Sequence, residues 1–150
     1  MNKEEQARKK FVEGCNCAQA VFATFAPKFG IDEEMALRMS SALGGGIGRL
    51  REVCGAFVAL TLIVGLAKGR PDATPEEKTE QYKRIQELAD KFKEAHGSLI
   101  CRDILKLQKD APTSPTPEKR TKEYYTMRPC ERCVSTAALL AQELLENTKE

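Results

Sequence analysis

The chain has 150 residues, 41% of them hydrophobic, and its 24 basic and 22 acidic side chains leave a net charge of +2. That length can bury one sizeable core and calls for no second one, so residues 1–150 are expected to form a single domain. Charges of both signs are mixed along the chain, which argues against a nucleic-acid partner.

The opening decapeptide, MNKEEQARKK, has no apolar segment and does not read as a secretory signal, so a cytoplasmic protein is expected. Ala7 and Phe11, four residues apart, predict a first helix from about Lys3 to Glu13, stopped by Gly14. Asn16 is placed to cap a second helix, CAQAVFATFAPKF, whose Ala20, Val21 and Phe25 face a core before Pro27 and Gly30 end it. Asp32 then caps a third, carrying Met35, Leu37, Met39 and Leu43 up to the glycine run Gly44-Gly45-Gly46-Ile47-Gly48.

After the glycines, CGAFVALTLIVGLAK is apolar on nearly every side, which predicts a central helix surrounded by the others. A buried strand is the competing reading, and the length of the run favours helix. The apolar stretch from Val53 to Ala67 falls short of the roughly 20 residues of a membrane-spanning helix, so no membrane insertion is expected. Thr74, Pro75 and Glu77 form a helix-start signature ahead of the stripe Tyr82, Ile85, Leu88, Ala89 and Phe92, with Gly97 at the stop. Ser98 is placed to cap a shorter helix, LICRDILKL, and prolines 112, 115 and 117 then make a surface loop. The last helix follows Pro129, with Val134, Ala137, Ala138, Leu140 or Ala141, and Leu144 facing inward, before the charged tail ENTKE frays. The pattern is all-α: a bundle of five to seven helices around an apolar central one.

Six cysteines in a protein of a reducing compartment are better explained as ligands or reactive thiols than as structural disulfides. They fall as Cys15-x-Cys17, Cys54, Cys101 and Cys130-x-x-Cys133, each at or near a predicted helix start, where the dipole favours a thiolate. Any one of them alone could serve as a small core hydrophobe. Cys130 and Cys133 have the form of a redox dithiol, without the strand and helix alternation of a thioredoxin around it. Haem attachment fails because Val134 stands where C-x-x-C-H needs histidine, and the single histidine, His96, reads as a solvated or capping side chain. Zinc would favour paired C-x-x-C knuckles, whereas an iron–sulfur cluster draws thiolates from separated segments.

The glycine run lacks the lysine of a phosphate loop, so it reads as a tight turn with positive φ. Arg49 and Arg51 could hold a thiolate or a cluster's charge beside Cys54. Tyr124 and Tyr125 follow the proline loop and could cover a site, with packing against the last helix the favoured role.

Taken together, GCNCAQAV, GGGIGR, CGAFVA, LICRDIL and PCERCV resemble the redox-active family named for its C-GCAxxG-C-C cysteine pattern, from about Phe11 to Leu145. Ala59 stands where that pattern has its second glycine. The resemblance implies a small all-helical redox protein with Cys17, Cys54, Cys101 and Cys130 as the four family cysteines, and Cys15 and Cys133 as additions. The leading expectation is that these four bind an iron–sulfur cluster, most simply [2Fe–2S], for electron transfer to a partner protein, with Cys15 and Cys133 as alternative thiols. Two other expectations stand beside it: a metal-free thiol/disulfide oxidoreductase using Cys130–Cys133 or Cys17–Cys54, and a structural zinc-binding module. The apolar central helix is compatible with a homodimer.

Overall fold

A computed structural model describes residues 1–147. The expected fraying of the tail falls in part on residues 148–150, outside the described residues. The chain is all-α: α1 Lys3–Val12, α2 Cys17–Phe25, a 3-10 turn Ala26–Phe29, α3 Glu33–Met39, α4 Gly55–Lys68, α5 Pro75–His96, α6 Cys101–Ile104, α7 Lys122–Met127 and α8 Cys130–Glu146. Eight α-helices among the described residues is one more than the expected five to seven. The addition is α7, a six-residue helix capped by Thr121, too short to carry an apolar period that sequence could reveal.

The helix starts follow their capping residues. Asn2, Asn16 and Thr74 each accept from the backbone of the third helical residue, whose side chain reaches back to the cap, and Asp32 accepts from the Met35 N–H. Gly97, with φ of +84°, ends α5 in the left-handed region.

Helices α1, α2, α4 and α8 pack against one another as the core of the bundle. Phe11, Phe22, Phe25, Leu60, Ile63, Val64 and Val134 are fully buried between them. The central position expected for α4 is shared with α2, of which every residue but Gln19 is buried. Helix α4 leaves Leu62 and Gly65 exposed, so the other helices cover only part of it. Helix α5 leans on α4 and α8 through Leu88, Ala89 and Phe92, and its first half projects outward with Tyr82 exposed. The third helix ends at Met39 rather than at the glycines, and it buries Ala36 while Met35 and Met39 stay exposed. Leu144 is half-buried, and the neighbouring Leu145 is buried instead.

His96 departs from the solvated reading. It is half-buried, its Nε2 lies 2.8 Å from Thr136 Oγ1 of α8, and its ring packs 4.7 Å from that of Phe92. Burial, with a smaller contribution from Arg132, holds it below the usual histidine range.

Between α3 and α4 the backbone makes a left-handed turn. Gly45, Gly46, Ile47, Gly48 and Arg49 all have φ between +58° and +73°, and Arg51 follows at +62°. The Ile47 and Arg49 N–H groups bond back to the carbonyls of Leu43 and Gly44. The expected positive-φ turn is present, and it extends through three residues that are not glycine. Past the turn, Val53 and Ile100 form an isolated antiparallel bridge. The Cys54 N–H bonds to Leu99 O at 2.7 Å and the Cys101 N–H to Glu52 O at 2.6 Å. This short pairing joins the start of α4 to the start of α6, and so brings two distant cysteines together.

Candidate functional site

Each cysteine of the site is delivered by a different local device. Cys17 opens α2 behind the Asn16 cap, and Cys54 is itself the N-cap of α4, held by the bond from its N–H to Leu99. Cys101 is the first residue of α6, a helix shorter than the nine-residue segment predicted. There Ser98 accepts from the Ile100 N–H and donates to Asp103, bracing the turn without extending it. Cys130 and Cys133 occupy the first turn of α8.

Two close approaches explain why this junction needs glycine. A Cβ on Gly55 would lie 2.6 Å from Leu43 O and 2.9 Å from Cys17 Sγ, so α4 can start beside Cys17 only without a side chain there. A Cβ on Gly46 would lie 2.7 Å from Cys101 Cβ and 2.7 Å from the Glu52 nitrogen, and its φ of +73° adds a second reason for glycine.

The result is a cavity of about 420 Å³ whose wall includes Cys17, Cys54, Cys101, Cys130 and Cys133. The same wall carries Gly44, Gly45 and Gly46, four arginines (Arg49, Arg51, Arg120 and Arg128), Tyr124, and Pro115, Pro117 and Glu118 from the proline loop. Cys17, Cys54, Cys101, Cys130 and Cys133 line this cavity, and Cys15 does not. Cys15 is half-buried, with Lys10, Glu33 and Arg120 as its charged surroundings.

The thiols are neighbours. Cys54 has both Cys17 and Cys133 as thiol neighbours, and all three are buried. Cys130 has Cys17 and Cys101 as its sulfur neighbours, so the two cysteines of CERC turn toward different partners. Cys130 and Cys133, the pair expected as a dithiol, stand one turn apart on α8 and both line the cavity, and Cys133 also neighbours Cys54.

Placement at helix starts suggested easily formed thiolates, and the opposite holds. The neighbouring Cys54 thiol, followed by burial, pushes the Cys17 thiol well above its ordinary value. The neighbouring Cys133 thiol raises Cys54, with burial adding to it. Burial, then the proximity of Cys17 and Cys101, pushes Cys130 up to about 12. Burial also raises Cys101, and the nearby Arg51 guanidinium opposes it. Several buried sulfurs close together cannot all ionise without a compensating cation, and this outweighs the helix dipoles. In this thiol form, no group of three or more His, Cys, Asp or Glu side chains among the described residues is arranged to hold a metal ion.

The arginines divide their work. Arg51 Nη1 donates to Cys101 Sγ at 3.6 Å, so its thiol partner is Cys101 rather than the adjacent Cys54. Arg49 turns away from the sulfurs toward the proline loop, donating to the carbonyls of Ser114 and Thr116. Arg120 lies 4.5 Å from the Phe11 ring centroid and 4.9 Å from that of Tyr124, and it donates to the carbonyls of Phe11 and Cys15. Tyr124 walls the cavity instead of simply packing on the last helix. Tyr125 reaches α1, donating to Val12 O at 2.9 Å and meeting Phe11 edge-on. Arg120 and Arg128 lie far from the glycine motif; Arg128 stands two residues before Cys130, while no spacing in the sequence ties Arg120 to the cysteines.

Comparison with known proteins agrees with the cysteine pattern. A family model described as "Putative redox-active protein (C_GCAxxG_C_C)" matches residues 15–144, and the chain belongs to that family. No curated protein and no solved structure matches.

Proposed function

We propose that the cavity is a redox centre in which Cys17, Cys54, Cys101 and Cys130 hold an iron–sulfur cluster, most simply [2Fe–2S], for electron transfer to a partner protein. The observation that carries this reading is the convergence of thiols from four separate chain segments on one wall, with no histidine among them. The donor set fits such a group. Four cysteines suffice, the cavity has room for a small inorganic cluster, and the backbone N–H groups of Gly45 and Ala56 are directed at Cys17 sulfur. When bound, the cluster supplies a one-electron couple.

The chain's own part is to collect, desolvate and compensate the thiolates. Loading requires thiols whose pKa values are raised to release their protons. Uptake is therefore weaker at low pH. Arg51 at Cys101, with Arg120 and Arg128 on the same wall, offsets part of the negative charge that four thiolates bring. A reducing compartment such as the cytoplasm would keep these cysteines available.

A second reading has its own observation. Cys54 has both Cys17 and Cys133 as thiol neighbours on the cavity wall, which supports a disulfide between Cys54 and one of them. Each closure forms one S–S bond and passes two electrons to an acceptor such as an oxidised thiol protein, with release of two protons.

Anaerobic purification after iron supplementation distinguishes the two. A brown protein containing iron and acid-labile sulfide is expected. A colourless, iron-free product overturns the cluster reading. In that case an oxidant-dependent pair involving Cys54, found by thiol trapping and mass spectrometry, identifies the second. Zinc alone in the metal analysis points to the structural zinc module instead.

A further inference from the structure

The proline loop between α6 and α7 does more than connect them. Residues 112–119 are all exposed, contain three prolines and form no helix, yet Pro115, Pro117 and Glu118 lie against the cysteine cavity. The segment is pinned at its two ends. On one side Arg102 Nη1 donates to the carbonyls of Gln108 and Ala111, at 2.8 and 3.2 Å. On the other, Arg120 is stacked among Phe11, Tyr124 and Tyr125 and bonded to two carbonyls.

Between these anchors the loop is held to the body by one cluster of charges. Arg49, projecting from the left-handed turn, bonds to Ser114 O at 2.6 Å and to Thr116 O, and its Nη2 lies 3.6 Å from Glu118 Oε1. Arg128, from the residues just ahead of α8, pairs with the same carboxylate oxygen. Glu118 is therefore gripped between the turn that shapes the cavity and the segment that carries Cys130. The Glu118 side chain is 44% exposed, while those of Arg49 and Arg128 are 18% and 19% exposed, so water and salt reach the latch from its outer side.

We infer that residues 112–119 form a gate over the cysteine cavity, latched by Glu118 between Arg49 and Arg128, and that release of this latch admits reagents or a redox partner to Cys101 and Cys130. The inference concerns access to the site and rests on reading the cavity as a redox centre. Prolines limit the backbone states open to the released segment, and the two pinned ends return it to the same place. Exposed ion pairs weaken with ionic strength, so a latch built from them opens more often as salt rises.

The test uses the reduced, metal-free full chain, so its outcome does not depend on whether iron binds. Alkylation by the neutral reagent N-ethylmaleimide is followed cysteine by cysteine with peptide mass spectrometry, at constant pH. Glu118→Gln is expected to speed modification of Cys101 and Cys130 about five- to tenfold while leaving Cys15, outside the cavity, unchanged. Unchanged rates at Cys101 and Cys130 overturn the gate, and an equal rise at Cys15 overturns it by showing general loosening. Should Glu118→Gln not fold, the natural chain supplies the same readout. Raising salt from about 0.05 to 0.5 M must accelerate Cys101 and Cys130 relative to Cys15, and a flat ratio overturns the proposal.

Discussion

At the scale of single residues, burial and mutual proximity decide the state of the sulfurs. Helix starts favour thiolates, but raised pKa values at Cys17, Cys54, Cys101 and Cys130 keep the metal-free site protonated. The consequence for stability has a definite sign. Cys130 holds its proton to about 12 when folded, against an ordinary 9.0, so between these values the unfolded chain binds fewer protons than the folded one. Stability from these thiols is complete below about pH 9 and falls as pH rises, with a limiting slope of about 1.4 kcal/mol per pH unit for each such group. Urea denaturation of the reduced metal-free protein should show a lower midpoint at pH 10 than at pH 8. Equal midpoints would mean that the thiols are not held protonated by the fold. Two glycines of α4 give a paired prediction. Gly55→Ala should cost about 1–3 kcal/mol because its Cβ meets Leu43 O and Cys17 Sγ, whereas Gly65→Ala, with open space around it, should gain up to about 1 kcal/mol. Chemical denaturation reads both, and a similar sign for the two would contradict the packing described.

At the scale of elements, legibility followed how locally each one is determined. Helix α5 was readable because Thr74, Pro75 and Glu77 start it, a regular stripe runs along it and Gly97 stops it, all within its own sequence. Helix α6 was overextended, since its position depends on pairing with residues 51–54, a contact some fifty residues away that no local pattern encodes. The third helix was overextended for a related reason: Leu43 continues the apolar spacing, but the chain leaves the helix at Ser40 to enter the left-handed turn. Placing α4 at the centre from its composition alone overlooked α2, whose small residues let it sink deeper. The contact of α5 with the bundle is narrow enough to test with one side chain. Phe92 is fully buried, 5.5 Å from the ring of Phe57 and 4.7 Å from that of His96. Phe92→Ala should cost about 3–5 kcal/mol in denaturant unfolding and increase hydrogen exchange along α5 more than along α2. Uniform exchange in both helices would show that α5 does not depend on this anchor.

At the scale of the whole molecule, the bundle acts as a frame that brings the N-terminal ends of α2, α4, α6 and α8 to one cavity. The cysteine spacing pointed to a shared site, and Cys17, Cys54, Cys101 and Cys130 do line one wall. Sequence could not separate Cys133, which joins them, from Cys15, which lies only two residues before Cys17 but outside the cavity. That difference arises from the chain's turn into α2 at Asn16, and the neighbours of each sulfur become visible only once the helices are packed. The arginines of the wall were half legible. Arg49 and Arg51 stand beside the glycine motif and Arg128 two residues before Cys130, while Arg120 arrives through a loop that composition marks only as irregular.

The central claim is that the four cysteines act together as one redox centre and that Cys15 stands apart from it. The most direct measurement is iron and acid-labile sulfide per chain after anaerobic reconstitution of single Cys-to-Ser variants, with helical content checked by circular dichroism. The account predicts large losses for Cys17→Ser, Cys54→Ser, Cys101→Ser and Cys130→Ser, and a natural content for Cys15→Ser. Full iron and sulfide in the four cavity variants, or their loss in Cys15→Ser alone, would contradict it.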